Sequence, residues 1–226
     1  MTTSPIKLMI TGRTGSGMTL ACAHLAEQYE AVCWSRSELM KQIAHALADG
    51  VGDLETLLAR VFPVAELRAE VREELLDWLS HYQPESSPIR LYQEVVEICQ
   101  RHEPLCFETE LEARIKAAGK QPFIVIDDIK GDEEGAFAYF SERGYASLRI
   151  EAPAEARAHR LLTRDGALPQ SERLHHPVET GLDTARHDFV VDNDTSEQRF
   201  TARIDRVVEL LRSGAFTRGG AERIEL

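Results

Sequence analysis

The sequence is short of positive charge and of long apolar runs, and each shortage removes a class of function. Lys and Arg number 26 against 38 Asp and Glu, which gives a formal net charge of −12. A broad surface for nucleic acid or anionic lipid needs clustered cations, so we expect neither partner. Every apolar run is too short for a signal-peptide core or a membrane span, so we expect a cytoplasmic protein with no membrane partner.

Cysteines are few and show no paired spacing. Such a pattern favours free thiols in a reducing compartment over a disulfide framework. The four residues are Cys22, Cys33, Cys99 and Cys106.

What the chain does have is an alternation of short apolar runs and helical periods. It predicts strands at 6–11, 31–34, 123–126, 146–151 and 189–192, with helices at 19–28, 38–48, 64–82, 89–99, 108–118, 137–143, 154–163 and 196–211. Alternation of this kind indicates an α/β fold, a doubly wound parallel sheet. We expect a single domain over 1–226, with a helical insertion at about 53–105, a lid at about 160–185 and a mobile tail over 213–226.

The most informative stretch is residues 12–19, Gly-Arg-Thr-Gly-Ser-Gly-Met-Thr. It matches the phosphate-binding P-loop G-x-x-x-x-G-K-[ST] except at the lysine, and it lies between a predicted strand and a predicted helix, as the motif requires. In this motif the backbone N–H groups surround the phosphates, and the final hydroxyl ligates Mg²⁺. The sequence therefore predicts an ATP site at Gly12, Arg13, Thr14, Gly15, Ser16, Gly17 and Thr19, with Thr19 as a metal ligand.

Met18 occupies the position of the P-loop lysine. A thioether carries no charge and donates no hydrogen bond. Backbone amides and the helix N-terminus would still attract phosphates, so nucleotide binding can survive. Phosphoryl transfer depends on stabilising charge on the transferred group, so we expect a loss of about a hundredfold or more in rate. An engineered substitution and a natural departure both fit the sequence.

Asp127 and Asp128 close the third predicted strand, at the sheet edge where doubly wound folds bind ligands. One of them, Asp128 in preference, is a candidate to hold Mg²⁺ or to accept a proton from a hydroxyl acceptor. The alternative is a polar strand end that caps the next turn.

Two groups of arginines are candidates for binding phosphate. Arg157, Arg160 and Arg164 share one face of a predicted helix, from which they would clamp phosphates or stack on a base. Arg68 and Arg72 lie one turn apart in the insertion and offer a second anion site. Both groups could instead pair with neighbouring glutamates on the surface.

Several short motifs, in order, resemble the P-loop small-molecule kinases of the nucleoside monophosphate kinase superfamily, nearest to the group of animal-type phosphomevalonate kinase and phage-type deoxynucleoside monophosphate kinase. After the P-loop come the motifs at 37–41, 72–78, 128–130 with Glu134, and 179–183 with Phe189. The sequence departs from the family pattern at two positions: Met18 replaces the P-loop lysine, and Lys130 replaces an arginine. Residues 35–37 lack the acid that dephospho-coenzyme A kinase and shikimate kinase carry there, which lowers hydroxyl-phosphorylating alternatives.

The resemblance implies transfer of a phosphoryl group from ATP to a small, usually already phosphorylated, acceptor. It implies Arg72 at the acceptor and Lys41 near the transferring phosphates. Arg68, one turn from Arg72, and Lys130, at the position of the family's arginine, are the other candidates for binding the acceptor. The resemblance further implies Asp128 near Mg²⁺, and Arg160 and Arg164 closing over ATP. Two alternatives stay open: a nucleotide-binding module without catalysis, and a kinase of a hydroxyl group with Asp128 as base.

Overall fold

The computed structural model describes residues 5–49, 53–82, 88–131, 133–166 and 177–225. The chain divides into two compact units, one formed by residues 1–35 with 120–226 and the other by residues 36–119. The second unit thus extends beyond the predicted insertion at both ends. Among the described residues, no helix is both long and apolar enough to cross a membrane.

The first unit is an α/β sandwich around a parallel sheet. Its strands in the described residues are β1 (Ile6–Gly12), β2 (Val32–Ser35), β3 (Phe123–Ile129), β4 (Ala146–Glu151), β5 (Phe189–Asp192) and β6 (Glu222–Ile224). They pair in the order β2-β3-β1-β4-β5-β6, every described pair parallel. This is the doubly wound plan expected from the sequence.

Helices cover both faces of this sheet. They are α1 (Met18–Tyr29), α7 (Ala138–Glu142), which follows a kinked turn at Glu133–Phe137, α8 (Ala154–Asp165), α9 (Pro177–Thr180) and α10 (Glu197–Ser213). Leu8 and Ile10 of β1 face the core that α1 and α10 close, while alternation along the strand turns Thr11 to the opposite face. Phe200 and Ile204 complete that core from α10.

The second unit is a helical bundle with a core of its own. It contains α2 (Ser37–Asp49), α3 (Leu54–Val61), α4 (Ala65–His81), α5 (Pro88–His102) and α6 (Cys106–Ala117). Ile43, Leu58 and Leu75 are fully buried in that core. The fully buried Glu108 carboxylate accepts a hydrogen bond from Arg36 Nε at 2.6 Å, so its charge is paired inside the bundle.

The expectation of a mobile tail over 213–226 is wrong for its described part. Residues 222–224 form β6 beside β5, and Ile224 is buried. Arg223 donates hydrogen bonds to Asp192 at 2.6 and 2.7 Å and to Glu151 at 2.8 Å, which joins the tail to the ends of β5 and β4. A three-residue edge strand is too short to produce a sequence period, so its pairing was missed.

Candidate functional site

The glycine-rich loop joins the carboxyl end of β1 to the start of α1. Gly15 and Gly17 have φ of 83° and 112°, a region that side chains disfavour. A Cβ on Gly17 would lie 2.3 Å from Asn193 Nδ2, and one on Gly12 would lie 2.8 Å from the Ile150 carbonyl oxygen. The loop therefore needs glycine at these positions for both conformation and space.

Helix α1 begins directly after this loop without a side-chain cap. Gly17 is the N-cap residue and makes no capping hydrogen bond through a side chain, and the first turn holds no acidic residue. The first N–H groups of a helix have no acceptor within it, and the helix dipole is positive there. This helix end is therefore suited to an anion.

Three side chains hold the carbonyl groups of the loop, and we call this the carbonyl side. Asn193 Nδ2 donates to the Ser16 carbonyl at 2.7 Å. Arg160 donates to the carbonyls of Gly15 and Ser16 at 3.1 and 3.3 Å, and Arg157 to that of Thr14 at 3.4 Å. Because a trans peptide points its N–H opposite to its C=O, these contacts turn the N–H groups of residues 15 and 17 away from the arginines. The Ser16 N–H donates to the Arg13 carbonyl at 2.9 Å, within the loop.

These contacts give Arg160 a role that the sequence analysis did not expect. Its guanidinium also donates to the Asn193 backbone and side-chain oxygens at 3.0 and 3.1 Å, so it supports the loop from behind. Direct contact of Arg160 with a phosphate stays a prediction, as does that of Arg164, which is exposed on the same helix. Asn193 was missed; the only signal was an amide immediately after the last predicted strand.

Met18 and Thr19 start α1 in different surroundings. Met18 is partly buried and packs against the core that α1 and α10 close. Its side chain therefore contributes apolar packing and no charge. Thr19 is exposed, which leaves its hydroxyl accessible as the predicted Mg²⁺ ligand.

The two aspartates lie within β3 and not beyond its end. The β1–β3 register shifts between Met9 and Thr11, and Asp128 has φ of 59°, so the strand is irregular where the acids lie. Asp127 Oδ2 accepts a hydrogen bond from Cys22 Sγ at 3.6 Å, whereas Asp128 Oδ1 lies 3.5 Å from Lys130 Nζ. A metal or base role for Asp128 stays a prediction.

A second set of contacts reaches the loop at Thr14, and we call it the amide side. Glu179 accepts hydrogen bonds from the Thr14 backbone N–H at 2.7 Å and from the Thr14 hydroxyl at 2.8 Å. Lys130 Nζ lies 2.6 Å from both Glu179 Oε1 and Thr14 Oγ1. Burial raises the pKa of Glu179, but the charge of Lys130 and the hydrogen bonds outweigh it and hold that pKa below its usual value.

Asp183 fixes the segment that follows Glu179. Its carboxylate pairs with both Arg13 and Arg149, and Arg149 also donates to the Leu182 carbonyl at 3.1 Å. Burial raises the pKa of Asp183, and the two guanidinium groups lower it by more, so the carboxylate is held ionised.

Beside the loop is a cavity of about 560 Å³, within the range of small-molecule sites. It is lined by both signs of charge, including Arg13, Arg149, Arg157 and Asp194, and by Ser16. Ser16 Oγ is buried and has no hydrogen-bond partner among the described residues. A buried hydroxyl without a partner is costly, so an acceptor on a ligand would be favoured there.

His187 ties the end of this segment to β1. Its Nδ1 lies 2.9 Å from the Ala185 carbonyl and its Nε2 2.9 Å from Thr11 Oγ1. Since a carbonyl only accepts, Nδ1 carries the proton and Nε2 accepts from the threonine. Burial, with the positive charge of Arg149, lowers the pKa of His187 to about 4, so the ring is neutral near pH 7.

The remaining predicted residues lie in the helical unit. Lys41 is exposed on α2. Arg68 pairs with Glu55 and donates to the Phe62 carbonyl at 3.0 Å, so it joins α3 to α4. Arg72 is exposed on α4, in an open depression. The other charged residues that line it are acidic: Glu55, Glu70, Glu73, Glu74 and Asp77. Acceptor binding by Lys41, Arg68 and Arg72 stays a prediction.

The chain is similar to TT1252 from Thermus thermophilus, a protein of solved structure. Sequence identity is 20%, the alignment covers 94% of this chain and 98% of that chain, and the TM-score is 0.48. A similarity at this level carries no argument about function. No protein-family model matches the chain, and no curated protein matches it.

Proposed function

We propose that this chain is an ATP-dependent phosphotransferase whose acceptor is a small, already phosphorylated molecule, and that Met18 lowers its rate. The observation that carries the proposal is the loop at residues 12–17. It lies at the carboxyl edge of a parallel sheet, where doubly wound folds bind ligands, and leads into an uncapped helix N-terminus.

The residues present fit a nucleotide polyphosphate. The carbonyl side turns loop N–H groups toward the opposite side, and the dipole of α1 adds positive potential. Ser16 Oγ supplies a buried hydroxyl that needs a partner. With Mg²⁺ bound, Thr19 and Asp128 would hold the ion, which neutralises charge on the phosphates. A phosphorylated acceptor is already anionic and therefore needs positioning more than a general base.

Met18 explains why the rate should be low while binding persists. The backbone contacts of the loop do not depend on the side chain at position 18. Because that side chain packs on the core, position 18 supplies no cation to the transferred group. A lysine could cover the same apolar surface with its stem while its amine reached the phosphates.

The test measures ATP binding by calorimetry and ATP-dependent product formation, for this chain, Met18→Lys and Met18→Leu. Nucleoside monophosphates, phosphomevalonate and small phosphonates serve as acceptors. We expect all three proteins to bind ATP, and Met18→Lys alone to gain about a hundredfold or more in turnover on one acceptor. Met18→Leu is the matched control, since it keeps the packing and adds no charge. ATP consumption by Met18→Lys without any phosphorylated acceptor would contradict the proposal.

A second candidate is a nucleotide-binding module without catalysis, which the packing of Met18 favours. In that case ATP or ADP would stabilise one arrangement of the loop for a partner protein. Nucleotide binding with no turnover in either this chain or Met18→Lys would support the module and exclude the kinase.

A further inference from the structure

Glu179 places a carboxylate on a backbone N–H of the phosphate-binding loop. A carboxylate that accepts from a loop amide, from the Thr14 hydroxyl and from Lys130 has the same three kinds of donor that a phosphoryl oxygen uses. The Glu179 side chain is only 12% exposed, so the charge lies inside the site and not on its rim.

The segment that carries Glu179 depends on polar contacts for its position. No residue of α9 is buried, and Val178 is 41% exposed. The Val178 carbonyl of α9 accepts a backbone hydrogen bond from Gly131 at 3.2 Å. Elements with little buried apolar surface open at low free energy, so α9 can leave the loop without unfolding the sheet.

We infer that the Glu179 carboxylate is an internal competitor for the terminal phosphoryl group of a bound nucleotide, so that Glu179 sets the preference between diphosphate and triphosphate. The inference rests on the proposed function. The N–H groups of residues 15 and 17 and the start of α1 serve the first phosphates, and a further phosphate needs the position at Thr14 and Lys130. A triphosphate must displace Glu179 from that position, and a diphosphate need not.

The first experiment compares ADP and ATP affinities, at fixed Mg²⁺, for this chain and Glu179→Gln. Glutamine keeps the shape and an acceptor for the Thr14 N–H but removes the charge. We expect ATP to bind Glu179→Gln roughly tenfold more tightly and ADP to change by much less. Glu209→Gln on α10, where the side chain is exposed, removes the same charge elsewhere and should change neither affinity.

Unchanged affinities in Glu179→Gln, or equal gains for ADP and ATP, would overturn the inference and leave the proposed function standing. Absence of any nucleotide binding in both proteins would overturn the proposed function first. Hydrogen exchange on the unaltered chain gives an answer that needs no variant. Amides of residues 178–180 should exchange faster with ATP than with ADP, and equal protection with both would also refute the competition.

Discussion

The two sides of the loop are held by different kinds of hydrogen-bond acceptor. The difference distinguishes contacts that support the loop from contacts that a ligand could replace. On the carbonyl side, Arg160 and Asn193 donate to neutral backbone carbonyls of the loop itself. On the amide side, the acceptor is itself an anion, the Glu179 carboxylate, on a helix with no buried residue. We therefore expect the carbonyl side to keep its contacts when a nucleotide binds, and the amide side to exchange its carboxylate for a phosphate.

The largest expected effect comes from Gly17→Ala, which breaks the carbonyl side by steric conflict. The new Cβ would displace Asn193 Nδ2 and would sit at a φ of 112°. We expect about 3 kcal/mol of lost stability, from strain and a lost buried hydrogen bond, together with loss of ATP binding. Denaturant unfolding and calorimetry measure the two effects.

Gly144→Ala is the matched control for Gly17→Ala. Gly144 also has positive φ, 83°, but a Cβ there would have no heavy atom within 4 Å. Gly144→Ala should lower the free energy of unfolding by about 1 kcal/mol and leave ATP binding unchanged. Equal losses in the two variants would mean that Asn193 does not matter to the loop.

Acid should destabilise the end of the segment that follows Glu179, where His187 contacts Thr11, while the carbonyl side, which has no titrating acceptor, persists. The pKa of His187 falls from an ordinary 6.5 to about 4 on folding, so the folded state favours the neutral ring. The stability from this shift is complete above pH 6.5 and is lost as the pH falls toward 4, by about 3 kcal/mol in total.

Unfolding free energies between pH 7 and 4 check this loss, and His187→Gln should flatten the curve over that range. Glu179 and Asp183, whose pKa values are lowered, add their own loss only below about pH 4, where carboxylates ordinarily titrate. A His187→Gln curve as steep as that of the unaltered chain would assign the acid sensitivity to other groups.

Arg160→Met should have a smaller effect, because Asn193 still holds the Ser16 carbonyl. The variant removes donors to the Gly15, Ser16 and Asn193 oxygens, and we expect about 2 kcal/mol of lost stability and a weaker affinity for ATP. Arg206→Met on α10, with an exposed side chain, is the control and should change stability by less than about 0.5 kcal/mol. Unaltered ATP affinity in Arg160→Met would show that Arg160 does not hold the loop in its nucleotide-binding conformation.

The smallest expected effect is on stability in Glu179→Gln. Removing the charge loses the ion pair with Lys130, but glutamine can still accept from the Thr14 N–H. We expect Glu179→Gln to lose about 1 kcal/mol of stability, well below the loss expected for Gly17→Ala. Thermal unfolding measures it, and a loss as large as that of Gly17→Ala would contradict the distinction between the two sides.

The sequence predicts the parts of this molecule that local patterns determine. Phe123–Ile126 is an unbroken apolar run, and it forms the start of the interior strand β3. The loop at 12–17 lies between β1 and α1 as its motif requires. Helix α3 was not predicted, although Asp53 caps it through the Thr56 N–H, because eight residues give few turns of periodicity.

Contacts between residues distant in sequence could not be predicted in this way. Glu179 lies 165 positions from Thr14, and Asn193 lies 177 positions from Ser16, so no spacing rule relates either pair. Arg160 donates to the backbone carbonyls of Gly15 and Ser16, which the sequence did not indicate, and its contact with a phosphate stays a prediction. A guanidinium binds either acceptor, and only the fold decides which one is within reach.

The short strand β6 has a practical consequence for anyone who shortens or extends this chain. Removing it would expose the N–H and C=O groups along β5, and an uncovered strand edge invites pairing with another molecule. It would also remove Arg223, whose two acceptors, Asp192 and Glu151, lie at the strand ends from which Asn193 reaches the loop. Aggregation of a protein truncated before Glu222 would therefore reflect the exposed edge of β5.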